Sequence, residues 1–211
     1  MKVLIYGAGQ NGRIVLEILK SQKTYSVVGF IDDKEQLLNK KIDGVPVLGN
    51  SMYLKQLISN DHISNAFVSI GDNQTRAKKA HLLTTMGYNL INSIHQKVIV
   101  SANVKLGVNV QITAGVIINT GSKIGSNVII NTAATIDHDN EIGDNVQICP
   151  GAHLAGAVRI KEYAFIGTGA VVVNNVTIGE NAIVGAGSVI LKDIPDNVVV
   201  VGVPGKICQH R

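Results

Sequence analysis

The second half of the chain carries a hydrophobic residue at every sixth position. From Val100 to Ile190 this position is Ile, Leu or Val at every step, without an insertion. The residue four positions later is small or Val at most steps, as at Val104, Ala134 and Ala164. A fixed short period is typical of repeat architectures in which short strands stack as coils. The pattern therefore predicts a parallel β-helix for residues 95–211.

The residues between the hydrophobic positions predict the turns of this β-helix. Gly or Asn often follows the aliphatic position, as at Gly107, Asn119 and Gly167. Because both residue types tolerate the backbone conformations of tight turns, we expect a turn after each short strand. A β-sandwich does not fit, because its strands alternate with period two and its loops are irregular.

The first half of the chain follows a different pattern, in which short apolar segments alternate with amphipathic ones. This alternation predicts a small Rossmann-like parallel sheet with helices between its strands over residues 1–94. The predicted strands span residues 3–6, 27–31 and 66–70, and the predicted helices span residues 13–20, 52–59 and 76–86. The chain is therefore expected to have two domains, an α/β domain followed by a β-helix.

Charge is distributed unevenly between the two halves. Residues 1–94 carry 11 Lys and Arg against 7 Asp and Glu, whereas residues 95–211 carry 8 of each, which accounts for the net charge of +4. The excess suits an anionic ligand on the first half, and it equally suits simple solubility. No basic run is interleaved with aromatic residues, so the composition does not favour nucleic-acid binding.

Aromatic residues make up 4% of the chain and Trp is absent, so the core must be built from aliphatic side chains.

Other features of the sequence indicate the cellular compartment. No segment approaches the ~18 continuous apolar residues of a membrane span, and the N-terminus lacks the pattern of a signal peptide. Two cysteines do not make a disulfide framework. We expect a cytoplasmic protein that does not insert into membranes.

A glycine-rich motif lies where the first strand is predicted to end and the first helix to begin. Gly7, Gly9 and Gly12 have the GxGxxG spacing, and Asp32 follows Gly12 by twenty residues. This arrangement resembles a dinucleotide fingerprint, in which backbone N–H groups at a helix start favour a phosphate. A tight turn without a ligand is the alternative. A dehydrogenase would need a further substrate domain, and the β-helix occupies the remaining chain.

Asp137, His138 and Asp139 form the most chemically suggestive segment of the β-helix. His138 lies two residues after an aliphatic position, so we expect it on a turn that a ligand can reach. A neutral histidine is suited to accept a proton at cellular pH, and an adjacent carboxylate can fix its tautomer. The alternative is a solvated surface histidine with no catalytic role.

These motifs resemble a known family. The repeat is similar to that of the hexapeptide-repeat acyltransferases, and the whole chain is similar to the NeuD/PglD-like sugar acyltransferases. The resemblance rests on residues 7–12 with residues 31–33, on residues 130–139, and on residues 202–206. It implies a left-handed β-helix of about five coils, assembly as a homotrimer, and acyl-CoA bound in clefts between neighbouring β-helices.

The resemblance also implies a nucleotide-sugar site. In the family the first domain binds the nucleotide of a UDP-sugar, and Asn11 replaces a histidine that relatives often carry. The substrate-binding residues that it implies are Gly9, Gln10, Asn11, Asp32, Asp33, Gly71 and Asn131.

For the chemistry, the resemblance implies that His138 is the general base and that Asp139 is its partner. It also implies a backbone contact from Gly156 to the thioester carbonyl. Gln147 replaces a second histidine that the family often uses at the acetyl-CoA site, and its amide can donate a hydrogen bond but cannot take up a proton. The cofactor-binding residues are predicted to be Gln147, Gly156, Thr168, Ala186, Pro204 and Lys206.

The preferred interpretation is an N-acetyltransferase that uses acetyl-CoA and a UDP-linked amino sugar in bacterial glycan synthesis. An O-acetyltransferase of sialic acid or a related nine-carbon sugar is the alternative within the same class. A β-helical carbonic anhydrase would need three zinc-binding histidines, and His138 has no histidine five residues later. No metal is therefore expected. A non-enzymatic scaffold is the remaining alternative.

Overall fold

The computed structural model of the protein describes residues 1–59 and 62–211. The chain forms two compact units, Met1–Gln96 and Lys97–Arg211. The division lies two residues beyond the predicted boundary at residue 94. Within the described residues, no helix combines the length and hydrophobicity that crossing a bilayer requires.

The first unit is a small α/β domain around one sheet. Its strands are β1 (Lys2–Tyr6), β2 (Ser26–Ile31), β3 (Lys41–Ile42), β4 (Val45–Gly49), β5 (Asn65–Val68) and β6 (Asn89–Leu90), followed by β7 (Ser93–Ile94). The sheet order is β3-β4-β2-β1-β5-β6, and only the β3–β4 pair is antiparallel. The helices are α1 (Gln10–Gln22), α2 (Leu54–Ser59) and α3 (Asn73–Thr85), with short 3₁₀ turns at Glu35–Leu37 and Ser51–Tyr53.

Alternation along the central strand β1 builds a core on each face of this sheet. Val3 and Ile5 pack in one buried cluster with Phe30, while Leu4 and Tyr6 pack in the other with Leu83. This is the pattern of a sheet that is covered on both faces, which explains the continuous apolar run in the sequence. The carboxyl end of β1 therefore opens at the glycine motif, between α1 and the loop after β5.

The predicted elements of this unit are present, and their bounds differ by a few residues. The predicted helix over residues 52–59 begins as the 3₁₀ turn and becomes α-helical only at Leu54. The β3–β4 hairpin was not predicted. Its first strand has only two residues, and its second contains Pro46, which argues against a strand when the sequence is taken alone.

The second unit is a parallel β-helix of two-residue strands. Strands pair at a spacing of 18 residues, as Ile129 does with Gln147 and Ile130 with Ile148. The last parallel pair is shorter, because Ile183 pairs with Val199, 16 residues further along. The strands form three faces, which we name A, B and C. Face A contains Gln111–Ile112, Ile129–Ile130, Gln147–Ile148, Phe165–Ile166, Ile183–Val184 and Val198–Val201. Face B contains Ile99–Val100, Ile117–Ile118, Thr135–Ile136, His153–Leu154, Val171–Val172 and Val189–Ile190. Face C contains Lys105–Leu106, Lys123–Ile124, Glu141–Ile142, Arg159–Ile160 and Thr177–Ile178.

The six-residue hydrophobic position fills the interior of the coils. Ile112, Ile130, Ile148 and Ile166 on face A are fully buried. The residue four positions later lies where the chain passes from one face to the next, and we call it the corner position. It is equally buried, as at Val128 and Ala134. The final strand, Lys206–His210, pairs antiparallel with Val198–Val201 and ends the unit.

Glycine after the aliphatic position has a different reason from the one predicted. Gly167 does not adopt a positive φ, but a Cβ there would lie 2.6 Å from the backbone N of Ala186 in the next coil. The left-handed conformation occurs two residues later, as at Gly169 with φ of 66° and at Asp139 with φ of 58°. Close stacking of coils, rather than turn conformation, therefore selects this glycine.

Candidate functional site

A cavity of about 370 Å³ opens at the glycine motif of the first unit. It lies at the carboxyl ends of β1 and β5, where ligands bind in open parallel sheets. All six first-unit residues predicted to bind substrate contribute to its lining, namely Gly9, Gln10, Asn11, Asp32, Asp33 and Gly71. The structure therefore brings these predicted residues together, and it adds Tyr6, Lys34, Ser69, Thr75 and Lys79.

Asp32 holds the glycine loop in place. Its two carboxylate oxygens accept backbone hydrogen bonds from Ala8 N at 2.8 Å and from Lys34 N at 2.9 Å. Gly9 caps helix α1 without a side-chain hydrogen bond, and no acidic residue lies in the first turn. A Cβ at Gly9 would meet no atom within 4 Å. The cavity thus includes a helix start that favours an anion and leaves room for it.

Asp33 is the centre of a polar cluster in the lining of this cavity. Tyr6 Oη and Lys79 Nζ both donate to its Oδ2 at 2.6 Å, and Ser51 N donates to its Oδ1 at 2.9 Å. Burial by itself would raise the pKa of Asp33, but hydrogen bonds from Lys79 and Tyr6 outweigh burial and lower this pKa well below its usual range. Asp33 is therefore a carboxylate that fixes the positions of a lysine and a tyrosine in the cavity wall.

Arg76 on α3 supports the loop that carries Gly71. Its guanidinium is fully buried and donates to the carbonyl oxygens of Ile70 at 3.0 Å and Gly71 at 2.8 Å, and to Asn73 Oδ1 at 2.7 Å. Burial lowers the pKa of Arg76 to about 10, so the side chain stays charged at neutral pH. The loop at Gly71 is therefore fixed by a cation that does not itself line the cavity.

In the second unit, His138 lies on the turn that follows the Thr135–Ile136 strand of face B. Its side chain is 56% exposed, and its Nδ1 lies 3.0 Å from Asp139 Oδ2. The hydrogen bond to Asp139 raises the pKa of His138 above its ordinary value. With Nδ1 bonded to the carboxylate, Nε2 is the nitrogen that can accept a proton.

The same turn is fixed by Asp137 and packs closely on a glycine. Asp137 Oδ1 accepts the His138 backbone N–H at 2.8 Å and the Asn119 side-chain amide at 2.9 Å. A Cβ at Gly156, one coil further on, would lie 2.5 Å from both Cε1 and Nε2 of the imidazole. The ring therefore rests on the Gly156 backbone, and only glycine leaves space for it.

The other predicted cofactor-binding residues lie elsewhere on the β-helix. Thr168 and Ala186 are exposed on the turns between faces A and B, in adjacent coils. Pro204 is exposed at the turn before the final strand, and Lys206 is the exposed first residue of that strand. That turn is tied to face B, because Gly205 N donates to Val189 O at 2.8 Å.

The two remaining predicted residues lie on or beside face A. Gln147 is half-buried with its Nε2 at 3.9 Å from Cys149 Sγ, and Asn131 donates to Ile148 O at 3.0 Å. Burial raises the pKa of Cys149 to about 11, which keeps this thiol protonated.

Among the residues that the structure describes, no group of three or more His, Cys, Asp or Glu side chains could hold a metal ion.

Several contributors to these sites were missed from the sequence. Tyr6, Lys79 and Arg76 lie in ordinary strand and helix patterns, so no local signal marks them. Asn140 does interrupt a pattern, because it places a buried amide at a corner position that is usually small or Val. That interruption could have been recognised from the six-residue period alone.

Comparison with known proteins covers both units. Residues 2–83 match the PglD N-terminal domain family, and residues 141–173 and 157–192 match the bacterial transferase hexapeptide family of six repeats. No curated protein sequence matches the chain at a significant level.

Several solved structures are similar over the full length. A histidine-to-alanine variant of GDP-perosamine N-acetyltransferase from Caulobacter crescentus, in complex with CoA and GDP-perosamine, is 40% identical, with a TM-score of 0.94, over 99% of this chain and 97% of that one. The acetyltransferase domain of PglB from Neisseria gonorrhoeae, in complex with acetyl coenzyme A, is 36% identical, with a TM-score of 0.91, over 98% of each chain. WeeI from Acinetobacter baumannii is 30% identical, with a TM-score of 0.88, over 98% of this chain and 100% of that one.

These similarities extend across the α/β unit and the β-helix together, and they confirm the predicted fold class, including the left-handed β-helix of hexapeptide repeats. The chain belongs to the NeuD/PglD-like family of sugar acyltransferases.

Proposed function

We propose that the protein transfers an acetyl group from acetyl-CoA to the amine of a nucleotide-linked amino sugar, with His138 as the general base. The observation that carries this proposal is the His138 turn, where an exposed imidazole is bonded to a carboxylate and rests on a glycine backbone. The Caulobacter relative was crystallised with CoA and GDP-perosamine, and the Neisseria relative with acetyl coenzyme A. These ligands support the same pair of substrates here.

The cavity of the first unit supports the nucleotide part of the acceptor. The open helix start at Gly9 suits a diphosphate, and Lys79 places a cation in the lining of the same cavity. Gly9, Gln10, Asn11, Asp32, Asp33 and Gly71 are its proposed contacts, with Asn131 of the β-helix as a further acceptor contact. We propose UDP as the nucleotide. GDP is the alternative to test, because the Caulobacter relative was crystallised with GDP-perosamine.

The chemistry of transfer assigns one role to each residue of the turn. The amine attacks the thioester carbonyl and forms a C–N bond, while His138 Nε2 takes the proton that the nitrogen loses. The C–S bond then breaks, the sulfur of CoA receives the electron pair, and the imidazolium of His138 returns the proton to that sulfur. Asp139 stabilises the imidazolium that forms in the first step, as a triad carboxylate does. An anionic tetrahedral intermediate needs a hydrogen-bond donor, and the Gly156 backbone N–H is the proposed one.

The acyl donor is proposed to follow the exposed turns of the β-helix. Thr168 and Ala186 occupy successive turns between faces A and B. Pro204 lies at the terminal turn that is tied to face B, and Lys206 begins the strand that follows it. Lys206 supplies a cation for the phosphates of CoA, while Gln147 can donate a hydrogen bond from its amide. The homotrimer and the cytoplasmic location remain predictions from the family resemblance.

The decisive experiment is a panel assay of purified protein with acetyl-CoA. Acceptors would be UDP-, GDP- and dTDP-linked 4-amino sugars and a free nine-carbon sugar, with released thiol and product mass as readouts. We expect N-acetylation of a nucleotide-linked amine, fastest with the UDP-sugar. Faster turnover of the GDP-sugar would overturn the nucleotide assignment alone, and O-acetylation of the free sugar would overturn the acceptor class. Turnover in the His138→Ala variant equal to that of the wild type would overturn the general base.

A further inference from the structure

The corner position behind the His138 turn departs from the apolar pattern of the β-helix. Between faces B and C, the corner positions of successive coils stack on one another as a column, which we call the ladder of corners. Its residues in four successive coils are Ser122, Asn140, Val158 and Val176. Asn140 is fully buried and Ser122 is 1% exposed. Two polar side chains therefore replace the interior valines at the coil that carries the imidazole and at the coil before it.

The Asn140 amide binds backbone on both sides of the His138 turn. Its Nδ2 lies 2.8 Å from the carbonyl oxygen of Asp137, 3.2 Å from that of His138 and 3.0 Å from that of Ala155. Ala155 directly precedes Gly156, on which the imidazole rests. One side chain thus connects the backbone that carries the general base with the backbone that packs against it.

Ser122 completes this arrangement from the preceding coil. Its Oγ donates to Asp137 O at 2.9 Å and accepts the backbone N–H of Asn140 at 3.2 Å. The carbonyl of Asp137 therefore receives hydrogen bonds from two buried side chains, immediately before His138. These bonds hold the backbone of the turn, and so fix the point from which the imidazole projects towards Gly156.

The arrangement carries a cost that core packing does not explain. Among the described residues, no group donates a hydrogen bond to Asn140 Oδ1, although this atom is buried. A buried acceptor without a partner is unfavourable, and valine fills the same corner in the next two coils. The amide therefore has a cost at Oδ1, but its Nδ2 makes three hydrogen bonds that a valine could not make, and these bonds link the two backbone segments.

We propose that Asn140 and Ser122 are positioning residues for the acetyl transfer, which set the placement of the His138 turn against Gly156. The inference rests on the proposed role of His138 as the general base. Neither side chain contacts the substrate in this scheme. Both act through the carbonyl oxygens of residues 137, 138 and 155.

The test compares Asn140→Val with Val176→Ala, a control in the same ladder of corners two coils away. Because displacement of a catalytic group by about 1 Å can cost ~10²-fold in rate, Asn140→Val should lower kcat ~10–100-fold. We expect the KM for acetyl-CoA to stay within about two-fold, and kcat is measured per folded molecule because the substitution removes three hydrogen bonds from Nδ2 together with the unpaired oxygen. Val176→Ala should lower Tm and leave kcat per folded molecule unchanged.

A second readout is independent of turnover. The charged groups that act on His138 are Asp137 and Asp139 on its own turn, while the neighbouring coils present Thr120 and Gly156, which do not titrate. If the turn loosens, the imidazole loses its fixed bond to Asp139, and its raised pKa should fall. An NMR titration of the His138 ring should therefore move to lower pH in Asn140→Val and stay unchanged in Val176→Ala.

Ser122→Ala removes a single oxygen atom and provides a variant that will fold. It should shift both readouts in the same direction by a smaller amount, with a ~3–10-fold loss of kcat. Normal kcat with an unshifted titration in Asn140→Val and Ser122→Ala would overturn the inference. His138→Ala in the same assay separates the two claims: activity retained there overturns the general base, and activity lost there with both positioning variants normal overturns the positioning role alone.

Discussion

The glycine-loop cavity and the His138 turn are organised in opposite ways. In the cavity, residues distant in sequence meet through side-chain bonds, as Tyr6, Asp33 and Lys79 do. At the turn, His138 bonds its immediate neighbour Asp139 in an exposed setting. A cavity built from distant side chains selects a ligand by shape and charge. An imidazole oriented by its own turn remains reachable and can exchange protons.

This comparison predicts which substitutions affect binding and which affect turnover. Changes at the turn should lower kcat with little effect on the KM of the substrates. Changes in the cavity should raise the KM of the nucleotide sugar and leave kcat nearly constant.

The largest expected effect is that of His138→Ala. Removal of the proposed general base should lower kcat by ~10²–10⁴ without weakening the binding of acetyl-CoA, because in the proposed mechanism the base meets only the proton of the nucleophile. Steady-state kinetics and calorimetry with CoA would measure the two quantities separately. A variant that keeps the turnover of the wild type would show that the enzyme acts by positioning an already neutral amine.

Gly156→Ala should follow with a loss of kcat of ~10²-fold, because the added Cβ would occupy the position of the imidazole. The exposed ring can swing into solvent, so we expect a small change of Tm. The matched control is the same substitution in the His138→Ala background. There the further loss should be small, because the displaced ring is already absent. A full additive loss in the double variant would assign Gly156 a role that is independent of the imidazole.

Asp139→Asn should lower kcat ~10–30-fold, since the imidazole remains but loses its charged partner. The hydrogen bond to Asp139 raises the pKa of His138, and the active form is the neutral one, so activity rises as pH passes upward through this raised value. Without the carboxylate this limb of the kcat/KM profile should move to lower pH. An unchanged limb would mean that a group other than His138 titrates there.

The smallest effect is expected from Asp33→Asn in the cavity. Loss of the charge frees Lys79 and Tyr6 from their fixed positions, so the KM of the nucleotide sugar should rise ~5–10-fold at constant kcat. The control is Asp43→Asn, which breaks an exposed ion pair with Arg13 at 2.9 Å. Exposed pairs contribute little, so this variant should match the wild type. Equal effects of the two variants would show that the Asp33 cluster does not organise the cavity.

Much of the molecule could be predicted from the chain alone. The six-residue period fixes the inward side chains of every coil, because an aliphatic residue is the one that can be buried there without a partner. The glycine motif and Asp32 likewise identify the cavity, since their spacing reflects the local geometry of a strand, a turn and a helix. The segment from Asp137 to Asp139 likewise marks His138 as a candidate base, because the carboxylate that bonds its ring is the next residue.

Tertiary structure decided the rest. Asp33 has the same local signal as Asp32, yet only the fold brings Lys79 from α3 and Tyr6 from β1 to its carboxylate. Arg76 reaches Gly71 for the same reason, and no pattern in α3 indicates it. Asn140 is an intermediate case: the period shows that it is out of place, but only the stacking of coils shows that its amide meets the carbonyl of Ala155. Periodic burial is a local property that the chain displays along its length, whereas hydrogen bonds between distant residues exist only once the backbone has folded.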